Sequence, residues 1–128
     1  MKTNFEKAIK AYRKAREVAK NECVTELNRL LDENDGELGI WGFGFTITYD
    51  GGRHPEFAAN PYSQVNTIYR KKDSGEIYFE TEDADINIKY VIGSELIDIV
   101  DDLHMLEDEF GSINEASKEV EFDNAIAE

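Results

Sequence analysis

Leu38-Gly39-Ile40-Trp41-Gly42-Phe43-Gly44-Phe45-Thr46-Ile47-Thr48-Tyr49 is the stretch from which the fold is read. Side chains alternate across a strand. As one strand it therefore sets Trp41, Phe43, Phe45, Ile47 and Tyr49 on a bulky face, and Ile40, Gly42, Gly44, Thr46 and Thr48 on a nearly bare one. Glycine inside a strand costs backbone entropy and packs nothing, so two at alternate positions mark a close approach by something else. The expected neighbour is a helix laid on the glycine face, with a ligand groove as the alternative. The aromatic face also needs cover, from the sheet's own curl, the tail or a second copy, because five large side chains in the open would make an uncommonly large apolar patch.

Upstream, residues 4–34 hold Phe5, Ile9, Tyr12, Ala19, Cys23, Leu27, Leu30 and Leu31 at the three-to-four spacing of one helical face, uninterrupted by Gly or Pro. The first half of this helix is basic and the second acidic (Glu22, Glu26, Asp32, Glu33), the reverse of what the helix dipole favours. Tertiary packing must then hold it, with the basic half expected against acidic parts of the body. Asn34-Asp35-Gly36 supplies the stop, Gly36 being suited to the left-handed conformation.

Downstream, Asp50 to Pro61 forms a long connection holding both prolines, and Tyr62–Lys72 and Glu76–Glu82 then read as a hairpin turned at Asp73-Ser74-Gly75. Ile86–Val91 alternates as a fourth strand, which completes an antiparallel meander. Ser94 is placed to cap a second helix with Leu96, Ile99, Val100, Leu103, Leu106 and Phe110 as its apolar stripe and Gly111 as its stop. Ser112-Ile113-Asn114-Glu115 has capping-box form. The expected fold is α+β: a long N-terminal helix, a four-stranded antiparallel meander, and a C-terminal helix packed with the first on one sheet face. Residues 1–111 form a single domain in this reading, and residues 112–128 a short helix or acidic flexible tail.

Charge is the strongest compositional signal, at −14 over 128 residues. Residues 1–20 carry seven cations against two carboxylates, net +5, so the remainder stands at −19. Such a body repels nucleic acid and anionic membrane and attracts basic protein surfaces. No apolar run approaches the roughly 20 residues of a membrane helix, and the first residues lack the apolar core of a signal peptide. A cytoplasmic protein is expected. The lone Cys23 excludes an intramolecular disulfide and lies on an apolar helical face.

Catalytic raw material is thin. Two histidines, no phosphate-cradling glycine loop and no spaced histidine pair argue against an enzyme and against a resident metal or cofactor. His104 falls among helical core positions beside Asp101, where a structural role is expected. In the long connection Asp50, Arg53, His54 and Glu56 lie within seven positions and include suitable metal-ligand types, but their spacing matches no metal motif. They remain a candidate small-ligand or metal-binding loop. Direct nucleic-acid binding, through the basic helix half or Arg70-Lys71-Lys72 beside Tyr69, is outweighed by the overall charge.

What remains is binding through shape and charge. Residues 94–128 hold twelve carboxylates and one lysine, and on the second helix Glu95, Asp98, Asp101, Asp102, Asp108 and Glu109 avoid the apolar stripe. Carboxylates three or four residues apart on a helix are separated by about 5–6 Å, near the scale of a phosphate backbone. In composition alone the chain resembles the small acidic nucleic-acid mimics that phages and mobile elements direct against host defence proteins. The expected function is that of a non-enzymatic inhibitor or protein-binding module whose partner presents a basic surface. A homodimeric accessory protein is the alternative, as is the ligand-binding loop.

Overall fold

The computed structural model describes residues 2–48, 62–82 and 84–119. The first element is α1, Lys2–Glu33, whose 32 residues span about 48 Å at 1.5 Å per residue. Only its second half reaches the core: Cys23, Leu27, Leu30 and Leu31 are buried, whereas Phe5 (69%) and Tyr12 (63%) are exposed. The chain leaves α1 through Asp35 and Gly36, both at positive φ, and Gly36 N–H donates to the Leu31 carbonyl at 2.7 Å.

The alternation of Leu38–Tyr49 predicts one strand, and here the structure differs. The stretch forms two short strands, β1 (Glu37–Gly39) and β2 (Thr46–Thr48), separated by a turn over residues 40–45. Gly42 and Gly44 have φ of 89° and 74° and are exposed. Their absent side chains serve the left-handed backbone rather than a neighbouring helix, and around Gly44 nothing comes within 4 Å of where a Cβ would stand. The break also resets the alternation. Leu38 and Ile40 point inward before it, Phe45 and Ile47 after it, and all four are buried. Trp41 is left 47% exposed, so the single bulky face anticipated from the sequence is divided between core and turn.

Among the described residues the sheet is five-stranded, one strand more than anticipated, because β1 and β2 each pair antiparallel with β3 (Tyr62–Arg70) at successive positions. Leu38 lies opposite Ile68, and Ile47 opposite Ser63. The meander continues through β4 (Ile77–Thr81) and β5 (Asp85–Asn87), in the order β1-β3-β4-β5, with a register shift between Val65 and Thr67. Gly75, at φ 73°, closes the β3–β4 turn as the sequence implied, donating to the Lys71 carbonyl at 2.8 Å. Past Asn87 the expected fourth strand gives way to a 3-10 turn, Ile88–Tyr90, begun by the Asn87 side chain accepting from Lys89 N–H.

The second helix, α2, spans Gly93–Phe110, and Ile92 rather than Ser94 occupies its N-cap. Gly111 ends it at φ 77°, with its N–H on the Glu107 carbonyl. Lys20 reaches the carbonyls of Lys89 and Val91, Glu26 meets His104 and Arg29 meets Glu107, so α1 and α2 run side by side and parallel. Their stripes, Leu27, Leu30 and Leu31 with Leu96, Ile99 and Leu103, close over Leu38, Ile40, Ile68, Phe79 and Ile86 of the sheet in one core. This is the helices-on-one-face α+β arrangement. Residues 113–119, set apart from the 1–111 unit in the sequence reading, are helical (α3), and their Ile113 and Ala116 are fully buried. The Ser112 hydroxyl accepts from Glu115 N–H, half of the anticipated capping box.

Candidate functional site

The buried stripe of α2 fixes which side faces outward. With Leu96, Ile99, Val100 and Leu103 turned to the core, the 3.6-residue period brings Asp98, Asp101, Asp102, Asp108 and Glu109 to the solvent side, where all five are exposed. In their midst is Met105, 68% exposed. None of the five carboxylates pairs with a cation among the described residues. Seven acidic residues and no Lys or Arg lie in Gly93–Phe110.

Glu95, grouped with these residues from the sequence, is engaged elsewhere. Its carboxylate accepts from Thr48 N–H at 2.9 Å and from the Thr48 hydroxyl at 2.6 Å, fastening β2 to the first turn of α2. Glu107 likewise turns inward and meets the Arg29 guanidinium at 3.0 Å. Arg29 also contacts Glu26 and Glu33, and Glu107 first, then Glu26, hold it in its charged form. Glu26 bonds His104 Nε2 at 2.7 Å, and Arg29 followed by His104 draws its pKa below the ordinary carboxylate value. His104 thus partners Glu26 of α1 rather than the Asp101 weighed from the sequence. The Cys23 thiol is pushed up by burial and then by Asp101 and Glu22, which suits a packed side chain and not a nucleophile.

The second feature is the first half of α1. Among residues 4–18 every side chain is exposed except the half-buried Ile9. Lys7, Lys10, Arg13, Lys14 and Arg16 meet no carboxylate among the described residues, and Arg16 sits over the Tyr12 ring at 5.7 Å. The expectation that this half lies against acidic parts of the body holds only at its last turns, and there without an ion pair among the described residues. Toward its end this half does meet the body: Tyr12 and Arg16 border a shallow hollow with Gly93, Ser94 and Ile97 of α2, and Lys20 reaches the carbonyls of Lys89 and Val91. The apolar period of Phe5, Ile9 and Tyr12 was legible, but periodicity carries no signal of whether a face is covered.

On the outer sheet face Tyr69 and Tyr78 stack at 5.8 Å, with Lys71 over Tyr78 at 4.1 Å. Tyr69 donates to Asp85 at 2.7 Å, and burial first, then this bond, raises its pKa. An open hollow beside the pair is lined by Asp32, Glu37, Arg70, Lys72 and Glu80. Its charges are mixed, and Arg70 already pairs with Asp32, so it offers no concentrated field to a ligand. Among the described residues no three His, Cys, Asp or Glu side chains converge as metal ligands would, and no buried side-chain N or O lacks a partner. Asp50, Arg53, His54 and Glu56 of the candidate loop lie outside the described residues, as does the tail from residue 120.

No helix among the described residues is long and apolar enough to cross a membrane. In comparison with known proteins the chain matches no family model and has no significant similarity to a curated protein or to a solved structure.

Proposed function

We propose that the chain is a protein-binding module without turnover of its own, and that the outward face of α2 is its binding surface. The supporting observation is the ring of Asp98, Asp101, Asp102, Asp108 and Glu109 around an exposed Met105. Carboxylates in such an array raise encounter rates with a basic surface. A flexible apolar side chain at the centre gives that encounter something to bury, and Met adapts to irregular pockets. A partner that ordinarily holds nucleic acid fits this pattern, because its cationic surface is already spaced for anions about 5–6 Å apart. An inhibitor acting by nucleic-acid mimicry is the functional class this implies.

The experiment compares proteins captured from a lysate by the wild type with those captured by D98N/D101N/D102N/D108N, using matched melting curves as the folding control. Capture by the wild type alone, reversed by DNA or RNA and weakened by salt, is the expected result. An identical set of captured proteins at low and physiological salt would mean that the acidity serves solubility only.

A further inference from the structure

The basic half of α1 is an amphipathic helix that projects past the start of α2, touching the body only where Tyr12 and Arg16 border a shallow hollow with Gly93, Ser94 and Ile97. Two features of it have no explanation within one chain. Phe5 and Tyr12 continue the apolar stripe that buries Cys23, Leu27 and Leu30 farther along, yet they are exposed. Five cations against two carboxylates between residues 4 and 18 give this segment +3, at the helix end where the dipole favours anions.

We infer that a second copy of this chain covers it: the projecting half of α1 in one protomer lies along the acidic outward face of α2 in the other, and the reciprocal contact forms by two-fold symmetry. The dimensions agree. Fifteen residues from 4 to 18 span about 22 Å, and the 18-residue α2 spans about 27 Å. The charges agree as well, with Lys7, Lys10, Arg13, Lys14 and Arg16 meeting Asp98, Asp101, Asp102 and Asp108. Phe5 and Tyr12 on one side and Met105 on the other supply apolar surface between the charged rows, and both sets are exposed in the single chain. A contact of residue i with j that is repeated as j with i is what a two-fold interface requires. The chief competing occupant, a nucleic acid or anionic membrane, must approach a molecule whose charge outside this segment is −17, whereas a second copy offers its acidic face directly.

The inference rests on the acidic face assigned above but on no outside partner, so the two stand or fall separately. It also gives the basic arm a regulatory consequence: in the dimer it occupies the surface a basic partner would use, and the partner must displace it.

Sedimentation of the purified full chain at low and high salt tests the arrangement, with two charge-reversed variants at exposed positions: K7E/K10E/K14E and D98K/D101K/D102K. The wild type is expected to dimerise with rising concentration and to dissociate as salt screens the contact. Each variant alone is expected to be monomeric, because arm and face then carry the same sign. Mixed together they are expected to form a one-to-one heterodimer, since a Glu-bearing arm meets a Lys-bearing face and an unaltered arm meets an unaltered face. Melting curves separate loss of pairing from loss of fold. A wild type that stays monomeric at high micromolar concentration, dimers that survive in either variant alone, or a mixture that fails to pair would each overturn the inference. If the wild type is monomeric while K7E/K10E/K14E abolishes binding to a short duplex DNA or to anionic vesicles, the arm's occupant is that polyanion instead.

Discussion

Asn114 and Gly39 hold α3 against the open edge of β1: Gly39 N–H donates to Asn114 Oδ1 at 2.6 Å, and Asn114 Nδ2 donates back to the Glu37 carbonyl at 3.1 Å. On the other side of β1, the Gly36 carbonyl and Ile40 N–H bond with β3. A single carboxamide therefore supplies the donor and the acceptor that a further strand would have offered, and it blunts an edge otherwise open to pairing.

Replacing Asn114 by Ala removes both bonds and leaves two strand groups to water, at a cost of about 1–3 kcal/mol. Asn114→Asp keeps the acceptor for Gly39 but turns the Glu37 contact into carboxylate against carbonyl. Denaturant unfolding is expected to rank wild type above both variants. Equal midpoints for wild type and Asn114→Ala would show that Ile113 and Ala116 alone hold α3.

Gly44 and Gly39 are glycines for different reasons, and substitution separates them. At Gly44, φ is 74° in open space, so the cost is backbone strain of roughly 1–2 kcal/mol for Val and less for Asn, which tolerates the left-handed region. At Gly39 an added Cβ meets Asn114 Oδ1 at 3.4 Å, and the cost lies in disturbing the edge contact. Gly44→Asn is expected to melt closer to the wild type than Gly44→Val, a ranking that steric crowding would not produce.

These two glycines also show where the sequence is legible and where it is not. Stops at Gly36, Gly75 and Gly111 could be read because each follows a periodic run and begins a change of direction, and all three have positive φ. Gly42 and Gly44 stand in an alternating run of large residues, and alternation of residue types continues unbroken through a turn that shifts which of them face the core. The outward carboxylates of α2 could be read because its apolar stripe is complete. Glu95 could not be told from Asp98, since its partner, Thr48, is 47 residues away. The exposure of Phe5 and Tyr12 was hidden for a related reason: the stripe continues without a mark where the body ends.

Glu95→Ala is expected to destabilise the protein by about 1–3 kcal/mol, because Thr48 loses the acceptor of both its N–H and its hydroxyl. Asp98→Ala, on the outward face, is expected to cost no stability and to raise it slightly, because it relieves the like charges of Asp101 and Asp102. Chemical denaturation of the two variants side by side decides whether Glu95 belongs to the framework; equal midpoints would return it to the acidic face.

Glu26 makes stability depend on pH in a known direction. Its folded pKa lies below the ordinary 4.5, with Arg29 the first cause and His104 the second. The folded state therefore binds the proton more weakly than the unfolded state, and the contribution is fully present above the unfolded value and lost as pH falls through the folded one. The group is partly exposed and its partners are solvated, so the effect is at most about 1 kcal/mol. The gap in melting temperature between wild type and Glu26→Gln is expected at neutral pH and should close on the acid side. A gap that persists unchanged into strong acid would mean that packing, not charge, separates the two.

The outward face of α2 should also be a source of strain within the fold. Asp98 stands three residues from Asp101 and four from Asp102, and like charges at these spacings destabilise a helix by about 0.2–0.5 kcal/mol per pair. No described cation offsets them, in contrast to Glu26 and Glu107, which share Arg29. Neutralising Asp98, Asp101, Asp102 and Asp108 to Asn should therefore recover part of that repulsion, offset by the lower helix propensity of Asn, and should flatten the dependence of melting on salt. In the wild type, added salt screens the repulsion and the melting temperature should rise; in the quadruple variant the rise should be smaller. A protein tuned for stability alone would not retain such a face, so an unfavourable charge array that remains exposed is what a surface kept for binding is expected to show. Equal salt slopes for the two proteins would place the repulsion elsewhere in the acidic body.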